Sequence, residues 1–110
     1  MMFQQARETV VKTCINLAER RYVAGTGGNM ALRAGEGHML VTPSGVDYYT
    51  MGPGDICVIR LSDHKQVEGE MEASVEAGMH ARVLAVRPDC LASVHTHLSL
   101  IHISEPTRLC

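Results

Sequence analysis

The sequence lacks any strong excess of charge. Its 110 residues include 10 lysines and arginines against 12 aspartates and glutamates, which gives a net charge of -2. A chain without a basic field is not expected to bind a nucleic-acid backbone or an anionic membrane surface. Small uncharged or anionic molecules remain open as ligands.

Two sequence patterns are also missing. The four cysteines form no C-x-x-C pair, which argues against a zinc knuckle or a thioredoxin-like motif and favours small core residues in a reducing compartment. Arg7, Glu8 and Lys12 interrupt the N-terminus before any apolar run develops, which argues against a signal peptide or a membrane span there. We therefore expect a cytoplasmic protein.

The hydrophobic content predicts one folded core. A chain of 110 residues with 45% hydrophobic residues is long enough for one domain and too short for two.

Apolar stretches at 30–32 and 39–41, separated by a turn-prone segment at 34–37, predict a β-hairpin. Before it, apolar spacing over 4–21 predicts an amphipathic helix. Its stripe comprises Ala6, Val10, Cys14, Leu17 and Ala18.

The second half of the chain changes from strands to a helix and back. Residues 56–61 have the best strand pattern, and 66–69 follow its turn. A second helix is predicted from Ser74, as its N-cap, to the residue before Pro88. Its apolar stripe comprises Val75, Met79, Val83 and Val86. With a last short strand at 90–95, this order is typical of a layered α/β or α+β domain.

His95 and His97 form the first candidate site. On an extended strand they project to the same side, with Cα atoms about 6.6 Å apart, and two such imidazoles can converge on one Zn²⁺. A solvent-exposed or hydrogen-bonded histidine pair fits this spacing equally well. A catalytic zinc also needs a third protein ligand, and none of His38, His64 and His80 stands out for that place.

Three further segments have the chemistry of an anion site. Turns rich in glycine and hydroxyl groups at 25–29 and 42–45 offer free backbone N–H groups, as does the predicted helix N-terminus near Ser74. Glu76 follows in the predicted first turn, where the helix dipole favours a carboxylate. Each feature alone has an ordinary structural explanation. Their combination with the histidine pair favours a functional site.

Four motifs, taken in order, resemble one protein family. They are G-T-G-G-N at 25–29, T-P-S-G at 42–45, A-S-V-E-A-G-M-H at 73–80 and V-H-T-H at 94–97. Together they resemble the class II aldolase and adducin family, of the type of L-fuculose-phosphate aldolase. The resemblance implies an α/β fold of α/β/α layers, with helices on both sides of a central, mainly antiparallel sheet. Residues 1–97 would be the N-terminal part of that domain.

The resemblance also implies roles for individual residues. Zn²⁺ is the implied cofactor, held by His95 and His97 and by a third histidine in a second half that this chain lacks. Glu76 is the implied catalytic acid and base. The implied phosphate-binding residues are Thr26, Gly28, Asn29, Ser44, Gly45, Ser74 and, through its backbone N–H, Val75. We therefore expect that this chain alone neither holds zinc tightly nor turns over substrate.

The implied activity is cleavage or formation of a C–C bond in a sugar phosphate, with a ketose 1-phosphate giving dihydroxyacetone phosphate and an aldehyde. Residues 43–49 also resemble a sugar-phosphate 4-epimerase of the L-ribulose-5-phosphate type, although that branch has Asp at the position of Glu76. A 3-oxo-tetronate 4-phosphate decarboxylase shares the same kind of site. A non-enzymatic adducin-like module is a further alternative, against which His95 and His97 count. The resemblance implies a homo-oligomer, a tetramer when intact.

The end of the chain has a different character. Residues 98–110 resemble a translated sequencing adapter, and we expect them to be a non-native tail. On that interpretation His102 is not a ligand, and the natural sequence is interrupted just after His97.

Overall fold

The computed structural model describes residues 1–23 and 27–96. Their elements, in chain order, are α1 (Gln4–Glu19), β1 (Asn29–Arg33), β2 (His38–Val41), a short 3-10 helix (Pro53–Asp55), β3 (Cys57–Arg60), β4 (Gln66–Glu68), α2 (Ala77–Val86) and β5 (Ala92–His95). Within these two ranges no helix combines the length and the apolar character needed to cross a membrane.

The strands form one antiparallel sheet in the order β4-β3-β2-β1-β5. The predicted hairpin is confirmed: β1 and β2 pair with Ala31 opposite Val41. β5 joins the other side of β1, with Asn29 opposite His95. This register puts the end of the glycine-rich loop directly beside the histidine-bearing strand.

A helix packs on each face of the sheet, and each face presents apolar side chains to its helix. The core on the side of α1 includes Val10, Cys14, Leu17, Leu32, Leu40 and Val58. The core on the side of α2 includes Ala31, Met39, Ile59, Ala81 and Leu84. Neighbouring strand residues therefore alternate between the two cores, as the pleat of a strand requires. The predicted α/β/α layering with a central antiparallel sheet is confirmed.

The first helix is confirmed with a shorter C-terminal end. It stops at Glu19 rather than at Arg21, because Arg21 adopts a φ of 63°, which a right-handed helix cannot contain. Its stripe packs on the sheet as predicted. The same face also buries Arg7, whose side chain is 1% exposed.

The second helix is confirmed, but its predicted start is wrong. It begins at Ala77, with Glu76 in the N-cap position. Ser74 lies before the helix: its carbonyl accepts the N–H of Ala77 at 3.0 Å, and its hydroxyl oxygen accepts the N–H of Glu76 at 3.2 Å. Ser74 therefore closes a tight turn instead of capping the helix, and Glu76 stands at the junction rather than inside the first turn.

The apolar stripe predicted for α2 is not its buried face. Val75 precedes the helix and is 88% exposed, and Val86 is 76% exposed. The helix instead buries His80, Ala81 and Leu84 against the sheet. A histidine, an alanine and a leucine therefore form the packed side, which the spacing of the valines and the methionine did not indicate.

Candidate active site

A cleft of about 190 Å³ opens where the glycine-rich loop, the T-P-S-G turn and the start of α2 meet. It is lined by Gly27, Gly28, Asn29, Pro43, Ser44, Gly45, Ser74, Val75 and Glu76. The sequence-predicted phosphate residues that the structure describes all lie on this lining, together with Glu76. Thr26 and His97 lie outside the described residues, as does the predicted tail at 98–110.

Backbone hydrogen bonds join the three segments around Thr42. Its N–H donates to the carbonyl of Met30 at 3.0 Å, and its hydroxyl oxygen accepts the N–H of Met30 at 3.1 Å. Its carbonyl accepts the N–H of Ser74 at 3.1 Å, and the N–H of Ser44 donates to the carbonyl of Glu72 at 2.8 Å. The turn is thereby attached to β1 on one side and to the segment before α2 on the other.

Two glycines are needed for the shape of the cleft. A Cβ at Gly28 would lie 2.3 Å from Cγ1 of Val23 and 3.3 Å from the carbonyl oxygen of His95, so only glycine lets the loop pass between them. Gly45 has a φ of +65°, in the left-handed region that other residues enter at a cost. The two loops that enclose the cleft therefore depend on their glycines for different reasons.

The cleft offers neutral hydrogen-bond donors. Among the described residues, no acceptor receives the backbone N–H of Gly45 or Val75. The Ser74 hydroxyl oxygen accepts a hydrogen bond from Glu76, which leaves its proton free to donate. The N-terminal end of α2 adds its partial positive charge. No lysine or arginine is among the described lining residues, so an anion here would be held by N–H and O–H groups, as at other helix N-termini.

Glu76 connects the cleft to β5. Its Oε2 lies 3.2 Å from Nε2 of His95, since the pairing of β5 with β1 sets His95 under the start of α2. That oxygen is shielded from solvent and receives no aligned hydrogen bond from the described residues. A carboxylate oxygen buried without such a bond is in a position to exchange a proton with a bound molecule.

His95 has the chemistry of a zinc ligand, but the described residues do not complete a ligand set. An imidazole nitrogen beside a carboxylate at the mouth of a cleft suits Zn²⁺, which takes nitrogen and oxygen donors. Within residues 1–23 and 27–96 no group of three His, Cys, Asp or Glu side chains converges. His95 therefore fits as one donor, and the proposed second, His97, lies outside the described residues.

The sequence reasoning missed a buried network behind the cleft. His80 is 0% exposed; its Nδ1 lies 2.7 Å from the hydroxyl oxygen of Ser93, and its Nε2 contacts Oδ1 of Asn29. One signal for it was available, because His80 is one helical turn after Glu76 and next to an alanine that packs on the sheet. The pairing with Ser93 depends on strand contacts that no local pattern reveals.

Known proteins that resemble this chain belong to one family of sugar-phosphate enzymes and their relatives. The family described as Class II Aldolase and Adducin N-terminal domain matches residues 8–101. The 5-deoxy-D-ribulose 1-phosphate aldolase of Bacillus thuringiensis serovar kurstaki is 35% identical over 98 residues, which is 88% of this chain and 46% of that protein. The methylthioribulose-1-phosphate dehydratase of Serratia proteamaculans is 30% identical over 97 residues, covering 88% of this chain and 47% of that protein.

A solved structure agrees with these sequence relatives. An L-fuculose 1-phosphate aldolase superposes with a TM-score of 0.81 at 32% identity, over 88% of this chain and 46% of that one. The chain thus spans about half the length of the relatives it matches. On the match over 8–101 and on this shared fold, the chain belongs to the class II aldolase and adducin family.

Proposed function

We propose that this chain is the N-terminal half of a zinc-dependent aldolase that cleaves a ketose 1-phosphate into dihydroxyacetone phosphate and an aldehyde. The observation that carries the proposal is the cleft, in which neutral donors from three segments surround a space next to the Glu76 carboxylate. The names of an aldolase for 5-deoxy-D-ribulose 1-phosphate and of an L-fuculose 1-phosphate aldolase among the relatives support the same substrate class.

In this proposal the cleft binds the substrate phosphate. The backbone N–H groups of Gly45 and Val75 and the side chains of Ser44, Ser74 and Asn29 donate to its oxygens, with Gly28 leaving room for close approach. Thr26 completes the set. Because phosphate binding is remote from the bond that breaks, its free energy serves to fix the ketose in register with Glu76.

Glu76 then moves the proton at the carbon that keeps the electron pair of the broken C–C bond. In cleavage it donates a proton to the carbon that becomes part of dihydroxyacetone phosphate, and in condensation it removes that proton. When bound, Zn²⁺ supplies Lewis-acid polarisation of the ketose carbonyl; His95 and His97 are the residues of this chain that would hold it. The contact between His95 and Glu76 keeps the metal-binding end of β5 and the proton-transfer group within one site.

A hybrid enzyme tests this function. Residues 1–97 would replace the matching segment of the Bacillus thuringiensis aldolase, and products from 5-deoxy-D-ribulose 1-phosphate would be identified by NMR. We expect zinc-dependent release of dihydroxyacetone phosphate. Glu76→Gln should lower kcat about 10²- to 10⁴-fold, whereas Glu70→Gln, at an exposed carboxylate, should leave it unchanged. A folded hybrid without cleavage, or with near-normal cleavage after Glu76→Gln, would contradict the proposal.

A dehydratase acting on a ketose 1-phosphate is the second candidate function. The relative from Serratia proteamaculans, named as a dehydratase for methylthioribulose 1-phosphate, is matched over as large a part of this chain as the aldolase. The same product analysis separates them, because a dehydratase keeps the carbon skeleton and loses water. An epimerase would leave the mass unchanged, and a decarboxylase would release carbon dioxide.

A further inference from the structure

His80 lies on the buried face of α2 against the sheet, where each of its ring nitrogens contacts a polar side chain of a strand. Its ring is fully buried. Nδ1 faces the hydroxyl of Ser93 on β5, and Nε2 faces the side-chain amide of Asn29 at the start of β1. Asn29 of β1 pairs with His95 of β5, and Ser93 lies two residues before His95. Asn29 and Ser93 therefore lie on the same face of the sheet.

Only one ring nitrogen of His80 can carry a proton in the folded protein at neutral pH. Burial lowers the pKa of His80 to about 4, so the imidazole is neutral and one nitrogen must accept while the other donates. Two arrangements satisfy both contacts. Either Ser93 donates to Nδ1 and the Nε2–H donates to Asn29, or the Nδ1–H donates to Ser93 and Asn29 donates to Nε2.

The two arrangements present opposite chemistry to the cleft. In the first, Oδ1 of Asn29 is occupied by His80, and the amide NH₂ is free to donate into the cleft. In the second, the amide is turned over and its carbonyl oxygen faces the cleft, where it would repel a phosphate. The structure has Oδ1 against His80, and Nδ2 hydrogen-bonds to no residue within 1–23 or 27–96.

We propose that His80 is a positioning residue: with its proton on Nε2, it holds Oδ1 of Asn29 away from the cleft and so fixes the amide NH₂ as a phosphate donor. The inference rests on the proposed function, since it takes phosphate as the anion of this cleft. His80 also lies one turn into the helix that Ser74, Val75 and Glu76 precede. The orientation of Asn29 is therefore tied to the position of the other phosphate-binding segment.

NMR of the ¹⁵N-labelled chain tests the proton position directly. The ring nitrogen shifts of His80 distinguish a protonated Nε2 from a protonated Nδ1, and we expect Nε2–H. On titration with inorganic phosphate, the side-chain NH₂ resonances of Asn29 should shift in a saturable way. A proton on Nδ1, or Asn29 NH₂ resonances that do not respond to phosphate, would overturn the inference.

Substitutions of His80 separate positioning from packing. His80→Gln can place an amide N–H where Nε2–H was, so it should retain most of the phosphate affinity. His80→Asn is too short to reach Asn29 and should weaken phosphate binding about tenfold, the usual effect of losing one hydrogen bond. Ile59→Val, in the same core beneath α2, is the control for loosened packing and should leave the affinity unchanged. Equal phosphate affinity in the Gln and Asn variants would count against positioning.

These readouts do not depend on catalysis. If the chain shows the Nε2–H form and the Asn29 response while the hybrid enzyme cleaves no ketose 1-phosphate, the inference stands and the proposed function fails. If the hybrid cleaves its substrate while His80 carries its proton on Nδ1, the function stands and the inference fails.

Discussion

At the scale of single residues, the side chains that shape the site are polar groups in buried positions. His80 and Asn29 are 0% and 8% exposed; both ring nitrogens of His80 have a polar partner, and Asn29 has one at Oδ1, which offsets the cost of burying these groups. The sequence indicated Asn29 through its glycine-rich motif. It indicated no role for His80, because the sequence around a helical histidine is the same whether its ring is exposed to solvent or bonded to a buried amide.

His80 should make stability fall in mild acid. Burial lowers its pKa to about 4, with a further lowering by His95 and an opposing effect of Glu76. The unfolded chain therefore takes up this proton near pH 6.5 and the folded chain only near 4, so stability is lost as the pH falls between these values. The difference amounts to at most about 3 kcal/mol.

Urea unfolding at several pH values measures this effect. His80→Gln should remove most of the loss between pH 6.5 and 4, whereas His64→Gln, at an exposed histidine, should keep it. An unchanged pH dependence in His80→Gln would show that another group titrates.

Gly45 should resist replacement more than a glycine of equal exposure. Alanine at Gly45 must adopt the φ of +65°, which costs about 1 to 2 kcal/mol. Gly54 is also exposed, has open space around its Cα and needs no positive φ, so Gly54→Ala should change stability by less than about 0.5 kcal/mol. Thermal unfolding of both variants measures the difference, and equal effects would contradict the conformational argument.

At the scale of elements, local patterns predicted what local contacts decide. The hairpin of β1 and β2 and the amphipathic helix α1 follow from apolar spacing over a few residues. The pairing of β5 with β1 joins residues sixty or more positions apart, and nothing in either segment specifies it. The buried face of α2 was also mispredicted, because Met79 and Val86 of the predicted stripe are exposed while His80, Ala81 and Leu84 face the sheet.

Arg7 should be a strong attachment point between elements. From α1 it donates to the carbonyls of Pro53 at 3.1 Å and Ile56 at 3.0 Å and pairs with the carboxylate of Glu68. Arg7→Ala leaves these buried and partly buried acceptors without a donor and should lower the free energy of unfolding by about 3 kcal/mol, the lower end of the range for breaking a buried ion pair.

The surface pair of Arg60 and Asp63 is the matched control for Arg7. Its side chains are 45% and 37% exposed, so Arg60→Ala should cost less than about 1 kcal/mol. Denaturant unfolding of both arginine variants gives the comparison. If Arg7→Ala lowered the free energy of unfolding as little as Arg60→Ala, the prediction would be wrong, and water would be satisfying the acceptors that the arginine leaves.

At the scale of the whole molecule, the fold class was predictable from sequence, and so was the identity of the residues that meet in the cleft. What could not be predicted is how they are held: the hydrogen bonds of Thr42 to two different segments and the contact of Glu76 with His95 exist only after the sheet has formed. The order of the motifs therefore indicated which residues meet in the cleft, and the order of the strands in the sheet determines the distances between them.

We predict that the 110-residue chain binds Zn²⁺ only weakly. The family resemblance assigns the third zinc histidine to a second half, and the chain spans 46% of its aldolase relative. Isothermal titration with zinc should show no tight site of one ion per chain, whereas the hybrid enzyme should bind one. Tight stoichiometric binding by the chain, lost on His95→Ala, would show that it completes a site from its own residues.

The register of β5 against β1 also determines which changes in length the site can tolerate. Asn29 lies opposite His95, and successive residues of a strand point to opposite faces. Deletion of Ala92, which precedes both residues in β5, would turn His95 away from Glu76 and Ser93 away from His80 while leaving the sheet paired. Insertions in the exposed loop at 87–89 leave that register intact. During divergence of such a domain, the loop can vary in length, whereas the strand must keep its count.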